Sequence, residues 1–192
     1  MAARPGFDPE LPTTEPQKGT TMTGRATTLL TGRRERMERI LDRRLEPPSA
    51  GAREPLPEET RKYLLSEAQD LYWNELEWEK ITDEEALDEG PVAELTFPGL
   101  LAYVRGLLLE EVMPDSLSPA NPRPRVVADL LDFLAGRVVE LEEGLPDADP
   151  SDAERLRAEL DMTSGVIDRV LYLYHGLGEA DVEQVEGAAT TG

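Results

Sequence analysis

The chain of 192 residues has a single histidine, His175, in the run Leu171-Tyr172-Leu173-Tyr174-His175, and no cysteine. Any Ser-His-Asp triad must therefore be built on His175. Thiolate nucleophiles, disulfides and thiolate or multi-His zinc sites are excluded. A carboxylate-bridged di-iron site needs a Glu-x-x-His motif on each of two helices. The residue three before His175 is Tyr172, so that chemistry fails on ligand count. The acid clusters Asp83, Glu84, Glu85, Asp88, Glu89 and Glu140, Glu142, Glu143 could loosely hold a hard cation. In a chain with 40 Asp and Glu they read as solvated charged faces, and no clear EF-hand spacing orders them. No G-x-x-x-x-G-K-[ST] or G-x-G-x-x-G loop is present to cradle a phosphate. His175 at the end of a helix reads as a partner for exposed carbonyls rather than as a catalyst. The expectation is no catalytic residue, no metal and no cofactor.

Two other groups of side chains point to binding instead. Arg25, Arg33, Arg34, Arg36, Arg39, Arg43 and Arg44 fall in one stretch with helical spacing. Up to residue 53 the chain holds 10 basic and 7 acidic residues; beyond it, 10 basic and 33 acidic. Such a patch could meet nucleic-acid phosphates or an acidic partner. It could instead fold back on its own acidic body, or be an ordinary exposed helix with i,i+4 pairs such as Glu35 with Arg39; these readings are favoured, with self-association or a protein partner ahead of nucleic acid, because the strongly negative body would repel phosphates. The second group is aromatic. Tyr63, Tyr72, Trp73 and Trp78 lie within sixteen residues and include both tryptophans. Ringed by Asp70, Asn74, Glu75, Glu77 and Glu79, they read either as interface anchors or as a cap on the bundle's own edge.

The elements that must carry these residues are all helical. Residues 1–22, rich in Pro and Thr, read as a disordered tail. Residues 23–45 predict a separate Arg-rich amphipathic helix, with Ala26, Leu29, Leu30, Met37, Ile40, Leu41 and Leu45 as its stripe and Pro47-Pro48 as its stop. Residues 46–56 read as a linker. The helical domain spans 57–177, a compact bundle or irregular array of four main helices plus a short one. Pro57 opens the first, whose stripe of Leu64, Leu65, Ala68, Leu71, Tyr72 and Leu76 runs to about Lys80, with Trp73 and Trp78 on its flank; Thr82 with Glu85 is a capping box for the short helix, stopped at Gly90-Pro91. The next, starting around Thr96, carries Leu100, Leu101, Val104, Leu107, Leu108 and Val112. It is apolar on almost every side, which predicts a central position; Arg105 interrupts it and should snorkel to the surface. Pro124 opens a helix ended by Gly144, and Asp149-Pro150-Ser151 opens the last, closed at Gly176. Residues 178–192 read as a loose acidic tail. No stretch alternates as a strand does, so the fold class is all-α.

The net charge is −20, with 20 Lys and Arg of which only Lys18, Lys62 and Lys80 are lysine. Charge of this size opposes compaction unless salt screens it. At about 1 M salt the Debye length is about 3 Å, which favours a protein suited to high salt over the alternative, an ordinary acidic protein from a GC-rich genome that also prefers Arg to Lys. No apolar leader opens the chain and no segment is long enough to span a bilayer, which predicts a cytoplasmic location and no membrane contact. The run from Leu71 to Lys80, followed by Thr82-Asp83-Glu84-Glu85, is similar to sequence from an uncharacterised haloarchaeal family of acidic, all-helical proteins. That resemblance covers the helical domain and implies no activity. The functional expectation is a non-enzymatic protein that works by protein contacts, as an oligomer or regulatory adaptor. A nucleic-acid-associated regulator ranks second and a carboxylate-based metal-dependent enzyme third.

Overall fold

The computed structural model describes residues 18–48, 56–85, 97–109 and 123–190, with side chains described over 24–48, 56–77, 97–109 and 123–189. Among these residues there are six α-helices, one 3-10 turn and no strand. The helices are α1 (Lys18–Leu41), α2 (Glu58–Glu85), α3 (Pro98–Leu109), α4 (Pro124–Gly144), α5 (Pro150–Tyr174) and α6 (Glu179–Thr190). The fold is all-α.

Helix α4 is the hub. Pro124 sits in its first turn, where a missing N–H costs nothing, and Arg123 offers its carbonyl to Val126 and Val127. Val126, Val127, Leu130, Leu131, Leu134, Ala135, Val138, Val139 and Leu141 are all buried, a stripe too wide for one neighbour to cover. It packs against α1, α2, α3 and α5. Pro146 then turns the chain through a 3-10 turn, and Asp149 caps α5 by accepting from the Ser151 and Asp152 amides. At the other end of α5, Gly176 takes φ +63° while its N–H reaches the Leu173 carbonyl and that of Leu177 reaches Tyr172. This is a Schellman closure, in which a glycine avoids the penalty of the left-handed region.

Four expectations need correction. The central helix is α4, not α3. In α3, Leu100, Val104 and Leu107 are buried, but Ala102, Arg105 and Leu109 face solvent. Helix α1 begins at Lys18 rather than residue 23 and ends at Leu41, well before Pro47-Pro48. Asp42 takes φ +50° there, and the Arg43 amide bonds the Glu38 carbonyl across the turn. Thr82 lies inside α2 rather than at the start of a new helix, because α2 runs unbroken to Glu85. The supposed loose tail contains α6, which packs on α1. Its apolar content is small, and the docking combines one buried valine, Val185, with polar contacts to the end of α1. Gln184 donates to the Ile40 carbonyl at 3.0 Å, and Asp181 pairs with Arg43. The expected tail at 1–17, most of the linker and the short-helix segment 86–96 lie outside the described residues.

Helix α3 starts by a device that involves α2. Phe97, fully buried, adopts φ +62°, a conformation that costs a non-glycine residue about 1–3 kcal/mol. Burying the ring against Tyr72, at 5.6 Å between centroids, offsets this by a comparable amount, about 1.5–3 kcal/mol. The Glu75 carboxylate accepts from the Gly99 amide at 2.6 Å and the Leu100 amide at 3.3 Å, supplying the anionic cap that the helix N-terminus favours. Gly99 permits that approach, since a Cβ there would lie 2.5 Å from the Glu75 Oε1.

Replacing Val185 with Asp should release α6 without unfolding the hub. Amide exchange should accelerate across residues 179–190 and stay slow in α4 when followed by mass spectrometry.

Candidate functional site

The aromatic stretch of α2 divides into an inner and an outer part. Tyr72, expected as an interface anchor, is instead a core residue with no exposed surface. Its hydroxyl meets Thr163 Oγ1 of α5 at 2.8 Å, and its ring touches Trp73, Phe97 and Phe133. Burial pushes its phenol pKa up. Tyr72 falls on the same helical stripe as Leu64, Ala68 and Leu76, all buried, so helix phase decides its fate. The outer part is Tyr63, 57% exposed, and Trp73, 40% exposed. They share the solvent face of α2 with exposed Glu59, Glu67, Asp70, Asn74 and Glu77. The Trp78 side chain lies outside the described residues.

Trp73 is held from below. Its ring meets Phe133 edge-on at 6.3 Å, and the Arg137 guanidinium lies 5.1 Å from its centroid. Arg137 in turn bonds Glu159 at 3.0 Å and Glu140 at 3.2 Å, and Arg155 approaches Glu159 at 3.6 Å. Glu159 is nearly fully buried, a position a carboxylate keeps only when paired. Sequence reading misses Phe133, Arg137 and Glu159. The available signal is that Arg137 and Glu159 interrupt the flanks of the α4 and α5 apolar stripes.

Three arginines of the basic segment reach acids on other helices, although Arg25 and Arg43 stay exposed themselves. Arg25 pairs with Glu142 at 3.0 Å and Glu143 at 2.6 Å on α4. Arg33 pairs with Asp168 at 2.5 Å and also bonds the Ser164 carbonyl and hydroxyl on α5. Arg43 holds α6 through Asp181, and Arg44 pairs with Glu38 at 3.1 Å. Arg36 and Arg39 are exposed, while Arg34 is half-buried. The Glu38 carboxyl lies below its ordinary pKa, chiefly because it accepts the Leu45 amide and secondarily because Arg44 and Arg34 are near. These partners consume much of the charge that could have met nucleic-acid phosphates.

His175 closes α5, and its Nδ1 lies 3.3 Å from the Glu46 carbonyl. Burial pushes its pKa down, and nearby Arg34 adds to that, so the imidazole is neutral at pH 7. Among the described residues no group of three His, Asp or Glu side chains could hold a metal ion, and no helix is long and apolar enough to cross a membrane. Glu140, Glu142 and Glu143 are engaged by arginines, and Arg105 is exposed.

Comparison with family models, curated proteins and solved structures gives no match to this chain.

The Tyr72–Thr163 bond admits a direct check. Tyr72→Phe should destabilise the protein by about 1–3 kcal/mol, because it strands a buried hydroxyl. Adding Thr163→Val should recover much of that loss in urea unfolding, giving a clear coupling in the double-mutant cycle.

Proposed function

We propose that the chain is a non-enzymatic cytoplasmic protein, adapted to high salt, that acts by binding a protein partner through the outer face of α2. The observation that carries this reading is the composition of that face. Two large aromatics stand exposed on a helix whose other exposed side chains, among the described residues, include the carboxylates Glu58, Glu59, Glu67, Asp70 and Glu77 beside Lys62, Ser66 and Asn74. Trp73 is braced by Phe133 and Arg137, so it reaches the surface with little side-chain freedom left to lose on binding. Tyr and Trp are the residue types that most often dominate binding energy.

The partner that fits is a segment rich in arginine or lysine. Its cations would meet the carboxylates and lie over the exposed aromatic faces. High salt screens the long-range attraction but leaves the contact pairs and the apolar burial. A nucleic-acid partner is less favoured, because Arg25, Arg33, Arg43 and Arg44 are engaged by the chain's own acids.

Titration with an arginine-rich amphipathic peptide, followed by calorimetry at low and at molar salt, tests this reading. The Tyr63→Ala, Trp73→Ala double variant should bind about tenfold or more weakly at both salts with its helicity unchanged. Equal binding by the variant overturns the reading, and so does an assembly mass that rises with concentration, which assigns the face to a second copy. The salt adaptation has its own measurement. Melting temperature should climb as KCl is raised from millimolar to molar, because screening relieves the repulsion among the carboxylates.

A further inference from the structure

We infer that the cavity between α1, α4 and the end of α5 is a binding site for a small organic molecule with an apolar body and one carboxylate. The cavity measures about 210 Å³. Its walls are Leu30, Leu131, Leu171, Ala128, Pro47 and the Tyr174 ring; Thr27, Thr31, Arg34, His175 and Asp132 supply the polar groups. No residue of α2 contributes, so the site is independent of the protein-binding face.

Arg34 is the recognition element. Unlike Arg25, Arg33, Arg43 and Arg44, it joins no ion pair among the described residues, and its Nε is buried without a hydrogen-bond partner. An arginine in this position gains most from a planar anion that accepts two parallel N–H bonds, which is a carboxylate. The charged or titratable neighbours are Glu38, Asp132 and His175. Glu38 is taken up by the Leu45 amide and Arg44, and His175 is neutral. Asp132, an exposed residue, also lines the cavity, and burial and Asp129 push its carboxyl up in pKa. A ligand carboxylate would give the guanidinium a close two-bond partner, beyond the longer-range field of Glu38 that it already feels.

The volume sets the size of the rest. A cavity of roughly 150 Å³ accepts a benzene ring. The larger space here suits a ring or branched alkyl chain joined to a carboxylate. Thr27, Leu30, Thr31 and Arg34 line up at spacings of three and four along α1, so the ligand would lie along that helix and tie it to α4 and α5.

Calorimetric titration of the full chain with phenylacetate, phenylacetamide and inorganic phosphate tests the site. Saturable binding is expected for phenylacetate, with phenylacetamide and phosphate each at least about tenfold weaker because one lacks the charge and the other the apolar body. Arg34→Met, which keeps the apolar stem, and Ala128→Leu, which fills the cavity, should each abolish phenylacetate binding while leaving the far-ultraviolet circular dichroism unchanged. The inference is overturned if wild-type chain fails to bind phenylacetate, if the amide or phosphate binds equally well, or if a folded variant binds undiminished. The wild-type comparison decides the matter even where a variant does not fold.

Discussion

Nine side chains on α4 must be kept from water, and no single neighbour can do it. Each large aliphatic buried there contributes about 1.5–3 kcal/mol, against ~0–1 kcal/mol for an exposed ion pair. The positions of α1, α2, α3 and α5 around α4 are the solution to that burial problem. The ion pairs of α1 should be understood in the same scale. Met37 and Ala26 attach the helix; Arg25 and Arg33 then choose its register by finding carboxylates on α4 and α5. The weaker force selects among arrangements that the stronger one has already made favourable.

Charge is distributed to match. The acidic surplus belongs to the body and the basic surplus to α1, so docking α1 brings opposite charges together at several helix boundaries. One arginine of the series, Arg34, stands apart because it faces a mostly apolar cavity. The Arg137–Glu159 pair is a further case of charge drawn inward, and there it supports the ring of Trp73 instead of a helix docking. Among the described residues several arginines are thus set at helix boundaries, while Arg36, Arg39 and Arg105 stay exposed.

Legibility from sequence follows the strength of local signals. Helices α4 and α5 are readable because long apolar stripes coincide with strong stop and start residues: Pro124, Asp149 and Gly176 all sit where their chemistry predicts. Helix α6 is not readable, since its hold on α1 depends on Val185, Gln184 and Asp181 finding partners more than a hundred residues away. The end of α1 misleads for a different reason. Asp42 in the left-handed region stops the helix, and an aspartate carries no such instruction by itself, whereas the prolines beyond it do. In the aromatic group, the helical stripe puts Tyr72 on the core face and Trp73 on its flank, and only the reading of Tyr72 as an anchor fails. One position separates Tyr72 from Trp73, and a helix turns 100° in that step, which is enough to move a side chain from core to solvent.

The borrowed cap of α3 has a consequence for how this chain can vary. Most helices keep their initiation signal next to themselves in sequence, so an insertion just upstream shifts signal and helix together. Here the carboxylate that greets the first amides of α3 comes from Glu75, 24 residues earlier. A change at Glu75 would therefore be felt on a helix that it precedes by more than twenty residues.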